Sequence, residues 1–205
     1  MKFDDRIHWD RGMMLNCFYL IDGWLVDTGA LPRDMGKIMR LMKEAEIDKL
    51  EGIVLTHSHP DHAANARMIS ATEGVRIYGH KFDFIEERHW YCVNLAEYAE
   101  FHPLENYKHV DCDYRFPILG GAKVLHVPGH TRGSIAIEFE DDGIMITGDA
   151  LQVKNGRLVK PPSLLNERDD SAEKSFNRLA RIIQEKGYDT VLPGHRKPVH
   201  TYELS

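Results

Sequence analysis

The stretch THSHPDHAAN, Thr56 to Asn65, sets His57, His59, Asp61 and His62 within six positions of one another. It is preceded by EGIVL, a short, continuously apolar run of the kind expected of a strand buried on both faces. Residues two apart on a strand point the same way, so the spacing predicts that His57 and His59 converge on one face while Ser58 looks elsewhere. Past Pro60 the chain can leave the strand and enter a helix, which carries Asp61 and His62 to a second, adjacent position. Imidazole nitrogens and carboxylate oxygens suit zinc and other first-row divalent metals, whereas calcium or magnesium would call for mostly oxygen. Neither half-site is complete, and each needs at least one ligand from elsewhere in the chain.

Three further motifs can supply them: HVPGHTRGS with His130, MITGDAL with Asp149, and VLPGHRKP with His195. In each, the candidate ligand follows a glycine, which permits a sharp turn and close backbone approach where several loops must meet on a small ion. One histidine in a glycine-rich loop is ordinarily a surface or hydrogen-bonded residue. Five histidines and two aspartates at strand ends are another matter, because clustered imidazoles and carboxylates resist burial unless something pairs with them.

Around these motifs the apolar periods alternate between strand and helix. CFYLIDGWLVDTG reads as a hairpin turning at Asp22-Gly23, and it delivers Asp27 to a strand end. Met35, Ile38, Met39, Met42 and Ala45 recur at helical spacing, HAANARMISATEG predicts a helix stopped by Gly74, and VRIYGH a strand. GAKVLHVPGH, SIAIEFE and GIMITGD read as consecutive strands, a helical face runs from Ala172 to Ile183, and YDTVLPGH closes as a final strand. The order predicts an α/β fold in which helices cover sheets, with residues 1–205 as one domain. Residues 81–118 break the rhythm: they hold nine of the nineteen aromatics and read as an aromatic-rich helical insertion. There His89, Trp90 and Tyr91 are candidate walls of a substrate pocket, with ordinary packing or a homodimer contact as the alternatives.

Composition narrows the function. A net charge of -6 without a basic cluster argues against nucleic acid as the partner, since binding it requires lysine and arginine to displace counterions. No run is long enough to cross a membrane, and the N-terminus lacks the apolar core of a secretory signal, so a cytoplasmic location is expected. Cys17, Cys92 and Cys112 are odd in number and widely spaced; they read as buried free thiols rather than a disulfide framework. Ser58 and Ser134 read as local hydrogen-bonders, and His126 as an edge or core histidine.

The ordered series of Asp27 in VDTG, then HSHPDH, His130, Asp149 and His195 resembles the five motifs of the metallo-β-lactamase superfamily, over about residues 16 to 198. The resemblance implies a four-layer αβ/βα sandwich with a two-metal site at the rim of its sheets. Carried over by position, it implies that His57, His59 and His130 hold one ion, that Asp61, His62 and His195 hold the other, and that Asp149 bridges both. Asp27 would match the family's buried aspartate, which orients a ligand loop. Zinc is the expected metal, with iron or manganese as alternatives. A water shared by two ions is acidified toward hydroxide, which would attack a substrate carbonyl while Asp61 shuttles a proton to the leaving group.

True β-lactamases of the superfamily carry cysteine or serine where this chain has Asp149, which disfavours antibiotic cleavage. The phrases PGHTRGS, TGD and PGH are most similar to the glyoxalase II-like and small lactonase-like branch, implying a small ester, thioester or lactone as substrate. The sequence runs about ten residues past His195, so the helical domain with which glyoxalase II grips glutathione is not expected. The segment QVKNGRLVKPP stands where the glutathione and persulfide enzymes carry Gly-Arg-Ser/Thr-Asp-Phe. Alternatives are a mononuclear-iron persulfide dioxygenase using His57, His130 and Asp149, and a phosphodiesterase or nuclease sharing the full ligand set. A closed structural metal site is disfavoured, because such sites are usually rich in cysteine.

Overall fold

Asp22 and Gly23 take positive φ, 48° and 79°, as a two-residue hairpin turn requires. They join β2 (Cys17–Ile21) to β3 (Trp24–Val26) in antiparallel register. The computed structural model describes residues 1–83, 106–118 and 121–201. The first sheet runs β1 (Ile7–Arg11), β2, β3, β4 (Gly52–Val54), β5 (Ile77–His80) and β6 (Tyr107–Val110), parallel from β3 onward. The second sheet lies in the order β14 (Val199–His200), β13 (Thr190–Pro193), β10 (Ile144–Gly148), β9 (Ile135–Phe139), β8 (Ala122–His126) and β7 (Arg115–Phe116). A hairpin of β11 (Gln152–Lys154) and β12 (Arg157–Val159) stands apart. The described helices are α1 (Pro32–Glu44), α2 (Pro60–Ala63), α3 (Ala66–Glu73) and α4 (Asp169–Lys186).

Three apolar layers define the stacking. Tyr19, Ile21 and Val26 of the first sheet meet Val124, Ile137, Ile146 and Leu192 of the second. On the opposite face of the first sheet, Phe18, Leu20 and Leu25 pack on Ile38 and Leu41 of α1 and Ile69 of α3. Beyond the second sheet, Leu125, Met145 and Val191 pack on Leu179 and Ile183 of α4. The result is an αβ/βα sandwich, and β2 is buried along its whole length because both its faces are covered. Because β10 and β13 run parallel, as do β3 and β4, the C-terminal ends of each pair open on one edge of their sheet. At that rim the Ile135 N–H donates to the Thr56 carbonyl at 2.9 Å, tying one sheet to the other.

Two expectations change. Residues 107–110 and 115–116 of the aromatic-rich segment are β6 and β7, outer strands of the two sheets, rather than part of a helical insertion. Phe116 fills the inter-sheet core, with Trp24, Tyr78 and Tyr114 at ring separations of 5.4, 5.4 and 4.9 Å, so these aromatics are structural. Residues 84–105, with His89, Trp90, Tyr91 and Cys92, lie outside the described residues. Cys17 is buried, but Cys112 is exposed, since it follows β6 in a surface turn. Among the described residues no helix is long and apolar enough to cross a membrane.

Ile137 is fully enclosed between the sheets, so Ile137→Ala should cost about 2–5 kcal/mol in urea unfolding through lost burial and a residual cavity. His80 gives a pH-dependent case. Its ring stacks on His126 at 4.1 Å, and its Nδ1 accepts the Phe82 N–H, a bond that needs the neutral imidazole. Burial, reinforced by His126, pushes its pKa down to about 4. A depressed histidine contributes stability that is present above its unfolded pKa near 6.5 and lost as pH falls toward 4. In chelator-treated protein, His80→Gln should reduce the stability lost between pH 7 and pH 4.5 by about 2 kcal/mol.

Candidate metal centre

Five loops bring the candidate residues to the rim. Asp27 follows β3, residues 56–62 follow β4, His130 follows β8, Asp149 follows β10, and His195 follows β13. β4 ends at Val54, earlier than EGIVLTH suggests, so His57 and His59 converge from a loop and not from a strand face. The rings of His57, His59 and His130 form a triangle with centroids 4.6 to 4.8 Å apart. The chain does turn into α2 at Pro60, placing Asp61 and His62 beside this triangle.

Asp27 arranges much of what surrounds it. Its Oδ1 accepts the Thr56 N–H at 2.8 Å, and its Oδ2 accepts the Thr56 hydroxyl at 2.8 Å and His62 Nδ1–H at 2.7 Å. The Thr56 oxygen in turn lies 3.0 Å from His57 Nδ1. With its hydroxyl proton given to Asp27, Thr56 accepts from His57. Both histidines thereby keep Nε2 free of hydrogen and turned to the rim when neutral. Thr56 lies inside the quoted motif, yet its side chain carries no metal-binding chemistry that would have singled it out.

The facing atoms crowd one small space. Asp149 Oδ2 lies 3.2 Å from His195 Nε2 and 3.4 Å from His130 Nε2, while its Oδ1 is 3.7 Å from His62 Nε2. Asp61 Oδ2 is 3.2 Å from His195 Nε2 and 3.5 Å from His62 Nε2. His62 and His195 approach Nε2 to Nε2 at 3.4 Å. Three groups can each offer one ligand atom per residue with those atoms within 4.8 Å of one another: His57, His59 and His130; His57, His62 and Asp149; and Asp61, His62 and His195. All seven candidate ligands are thus brought together. His59, Asp61 and His195 are half-buried and form the open side; His57, His62, His130 and Asp149 are buried.

Electrostatics follow from that crowding. Burial, then the charges of neighbouring histidines, pushes His57 well below the usual imidazole range and His59 down to about 4. Burial also lowers His130. For His62 burial acts downward, but Asp27 and Asp149 outweigh it and raise the ring to about 9. At His195 the same opposition is won by hydrogen bonds to Asp149 and Asp61, reaching about 10. Burial would raise Asp149, yet His62 and His195 hold it well below the carboxylate range. Protons on His62 and His195 therefore provide the positive charge that the two carboxylates demand.

The donor set fits divalent ions in that role. Buried His57 Nε2, both ring nitrogens of His130 and Asp149 Oδ1 have no hydrogen-bond partner among the described residues, and atoms left so are costly unless a cation engages them. Glycines allow the close approach. A Cβ on Gly194 would collide with Asp149 Oδ1, and at Gly129, with φ of 142°, it would collide with the backbone of Ala172 in α4.

The family model for the metallo-beta-lactamase superfamily matches residues 18–195. The chain belongs to the metallo-beta-lactamase superfamily. An uncharacterized protein of Mycobacterium leprae is 28% identical over 197 residues, covering 89% of this chain and 87% of the relative. The probable metallo-hydrolase YflN of Bacillus subtilis is 26% identical over 205 residues, with 85% and 75% covered. A hydroxyacylglutathione hydrolase of Cereibacter sphaeroides is 32% identical over 128 residues, only 62% of this chain and 44% of that enzyme. Among solved structures, a metallo-beta-lactamase family protein from Thermus thermophilus superposes with a TM-score of 0.73 at 22% identity, covering 98% of this chain and 77% of that one. A protein solved in a di-iron-bound form, TTHA1623, gives 0.68 at 20% identity, covering 96% and 90%. These superpositions establish a metallo-beta-lactamase fold for this superfamily member, whose candidate ligands are histidines and aspartates.

Asp27→Asn must set its NH2 either against His62 Nδ1, which drives the ring proton to Nε2 and removes that lone pair from the rim, or against the Thr56 N–H, which releases the loop that carries His57. Zinc affinity, read by competition with a chelating dye, should fall about 10–100-fold.

Proposed function

We propose that this chain is a dinuclear metal-dependent hydrolase cleaving a small ester, thioester or lactone. In this reading His57, His59 and His130 hold one ion, Asp61, His62 and His195 hold the second, and Asp149 reaches both. One observation carries it: two groups of three ligand-capable side chains flank a single buried carboxylate, Asp149, whose Oδ2 lies 3.4 Å from His130 of one group and 3.2 Å from His195 of the other. Divalent ions held there would supply Lewis acidity toward a substrate carbonyl and lower the pKa of a bound water.

The chain's own residues have separable tasks. Asp27 and Thr56 hold the rings of His62 and His57 so that Nε2 faces the reacting centre. Burial of His57, His62 and Asp149 excludes bulk water from the inner side, while half-buried His59, Asp61 and His195 leave the outer side open to substrate. The His195 and His62 rings favour the ionised form of Asp61, and in this reading its carboxylate would take a proton and pass it to the leaving group. Resemblance to a hydroxyacylglutathione hydrolase over part of its length supports an acyl substrate, and the probable metallo-hydrolase YflN supports hydrolysis. A small molecule in the cytoplasm, bound without nucleic acid or membrane, is the expected partner.

Elemental analysis of protein purified without a metal-affinity tag, from cells supplied with zinc and iron, tests the ion count. Two zinc ions per chain, falling to one in His195→Ala, are expected. One iron per chain, unchanged in His195→Ala, would overturn this reading in favour of a mononuclear oxidoreductase. Across a panel of esters, thioesters and lactones, Asp61→Asn should slow turnover about 100-fold or more.

A further inference from the structure

Asp83 is buried at the turn after β5, where its N–H donates to the His80 carbonyl at 3.1 Å, and no role assigned so far uses it. Its Oδ2 accepts the Ser58 N–H at 3.0 Å and the Thr131 hydroxyl at 2.7 Å; its Oδ1 accepts the Gly133 N–H at 2.6 Å. Ser58 lies between His57 and His59, and Thr131 follows His130. One carboxylate thus ties together the two loops that carry the three-histidine group, although it touches none of the three rings in the hydrogen bonds it makes. The approach is tight, since a Cβ on Gly133 would collide with the Asp83 carboxylate and main chain. Thr131 is fixed a second time, with its N–H 3.0 Å and its hydroxyl 2.7 Å from Ser134 Oγ.

We propose that Asp83 is a positioning residue that sets the separation between the His57–His59 loop and the His130 loop, and thereby the zinc affinity of that half-site. This rests on the two-ion reading above. The chemistry calls for a carboxylate: two amides and a hydroxyl converge on its two oxygens, and a carboxylate accepts at both where a side-chain amide accepts at one. Asparagine must turn an NH2 toward one of the two amides, releasing either Ser58 or the loop at Gly133. Movement of Ser58 would shift His57 and His59 together, since both flank it. The other half-site has its own supports, Asp27 on His62 and the main-chain bond from Cys17 N–H to the Gly194 carbonyl beside His195.

The test isolates each half-site. In a His195→Ala background, which leaves the three-histidine group intact, adding Asp83→Asn should weaken zinc binding about 10–100-fold by chelator competition. In a His59→Ala background, which leaves the other group, the same change should alter affinity by less than about threefold, well under the range for a lost supporting contact. A general loss of structure would weaken both equally and overturn the proposal, as would an unchanged affinity in the His195→Ala background. Thr131→Val removes a single contact of Asp83 and should give a smaller loss confined to the same half-site, which keeps the test decisive if Asp83→Asn does not fold. Amide exchange in metal-free protein should speed up at Ser58 or Gly133 in Asp83→Asn; unchanged exchange at both would overturn the clamp itself. A wild-type chain that binds no zinc would sink the two-ion reading and this proposal with it, whereas normal wild-type binding with an indifferent Asp83→Asn sinks only the latter.

Discussion

The carboxylate of Asp27 accepts three hydrogen bonds, and the order of the rim depends on them. Two fasten Thr56 at the exit of β4, and the third fixes the ring of His62. Asp27 itself takes a φ of 59°, uncommon for a residue with a side chain, and its N–H is bound to the Val54 carbonyl. The backbone there is bent against its preference to aim a carboxylate under the loop. Such strain persists only where surrounding contacts over-determine it, and parallel pairing of β3 with β4 provides those contacts.

Sheets and loops divide the work. The three apolar layers need only residues of suitable size and alternation, while the rim concentrates groups that oppose folding: buried imidazoles, two carboxylates and orphaned ring nitrogens. In metal-free protein, protonated His62 and His195 relieve part of the charge between Asp61 and Asp149. The remaining orphaned atoms are a cost that the layers offset by hydrophobic burial.

Much of this was legible in the residues. The Asp22-Gly23 hairpin, the helix stopped by Gly74 and the long amphipathic helix ending near Ile183 could be read locally, because turn chemistry and apolar period are local properties. The candidate ligands stood out because imidazoles and carboxylates cluster beside glycines. What escaped was set by tertiary context. β6 and β7 were hidden among aromatics whose partners, such as Trp24, are far away in sequence. Asp83 sits between two phenylalanines, and nothing local distinguishes it from a surface acid. The convergence of His57 and His59 was anticipated through the wrong local geometry: a strand was expected to align them, whereas a loop does so.

The parallel pairing of β10 with β13 also bears on how the molecule is made. The candidate ligands run from His57 to His195, and β13 docks beside β10 only after α4 has crossed over the sheet. Contacts of such sequence separation carry a large loop-closure entropy and form late, so high contact order, rather than local propensity, governs when the rim is assembled. A nascent chain emerging from the ribosome has the histidines of residues 57–62 exposed well before His195 is synthesised. Grouping of His195 with Asp61 and His62 therefore waits for that crossing.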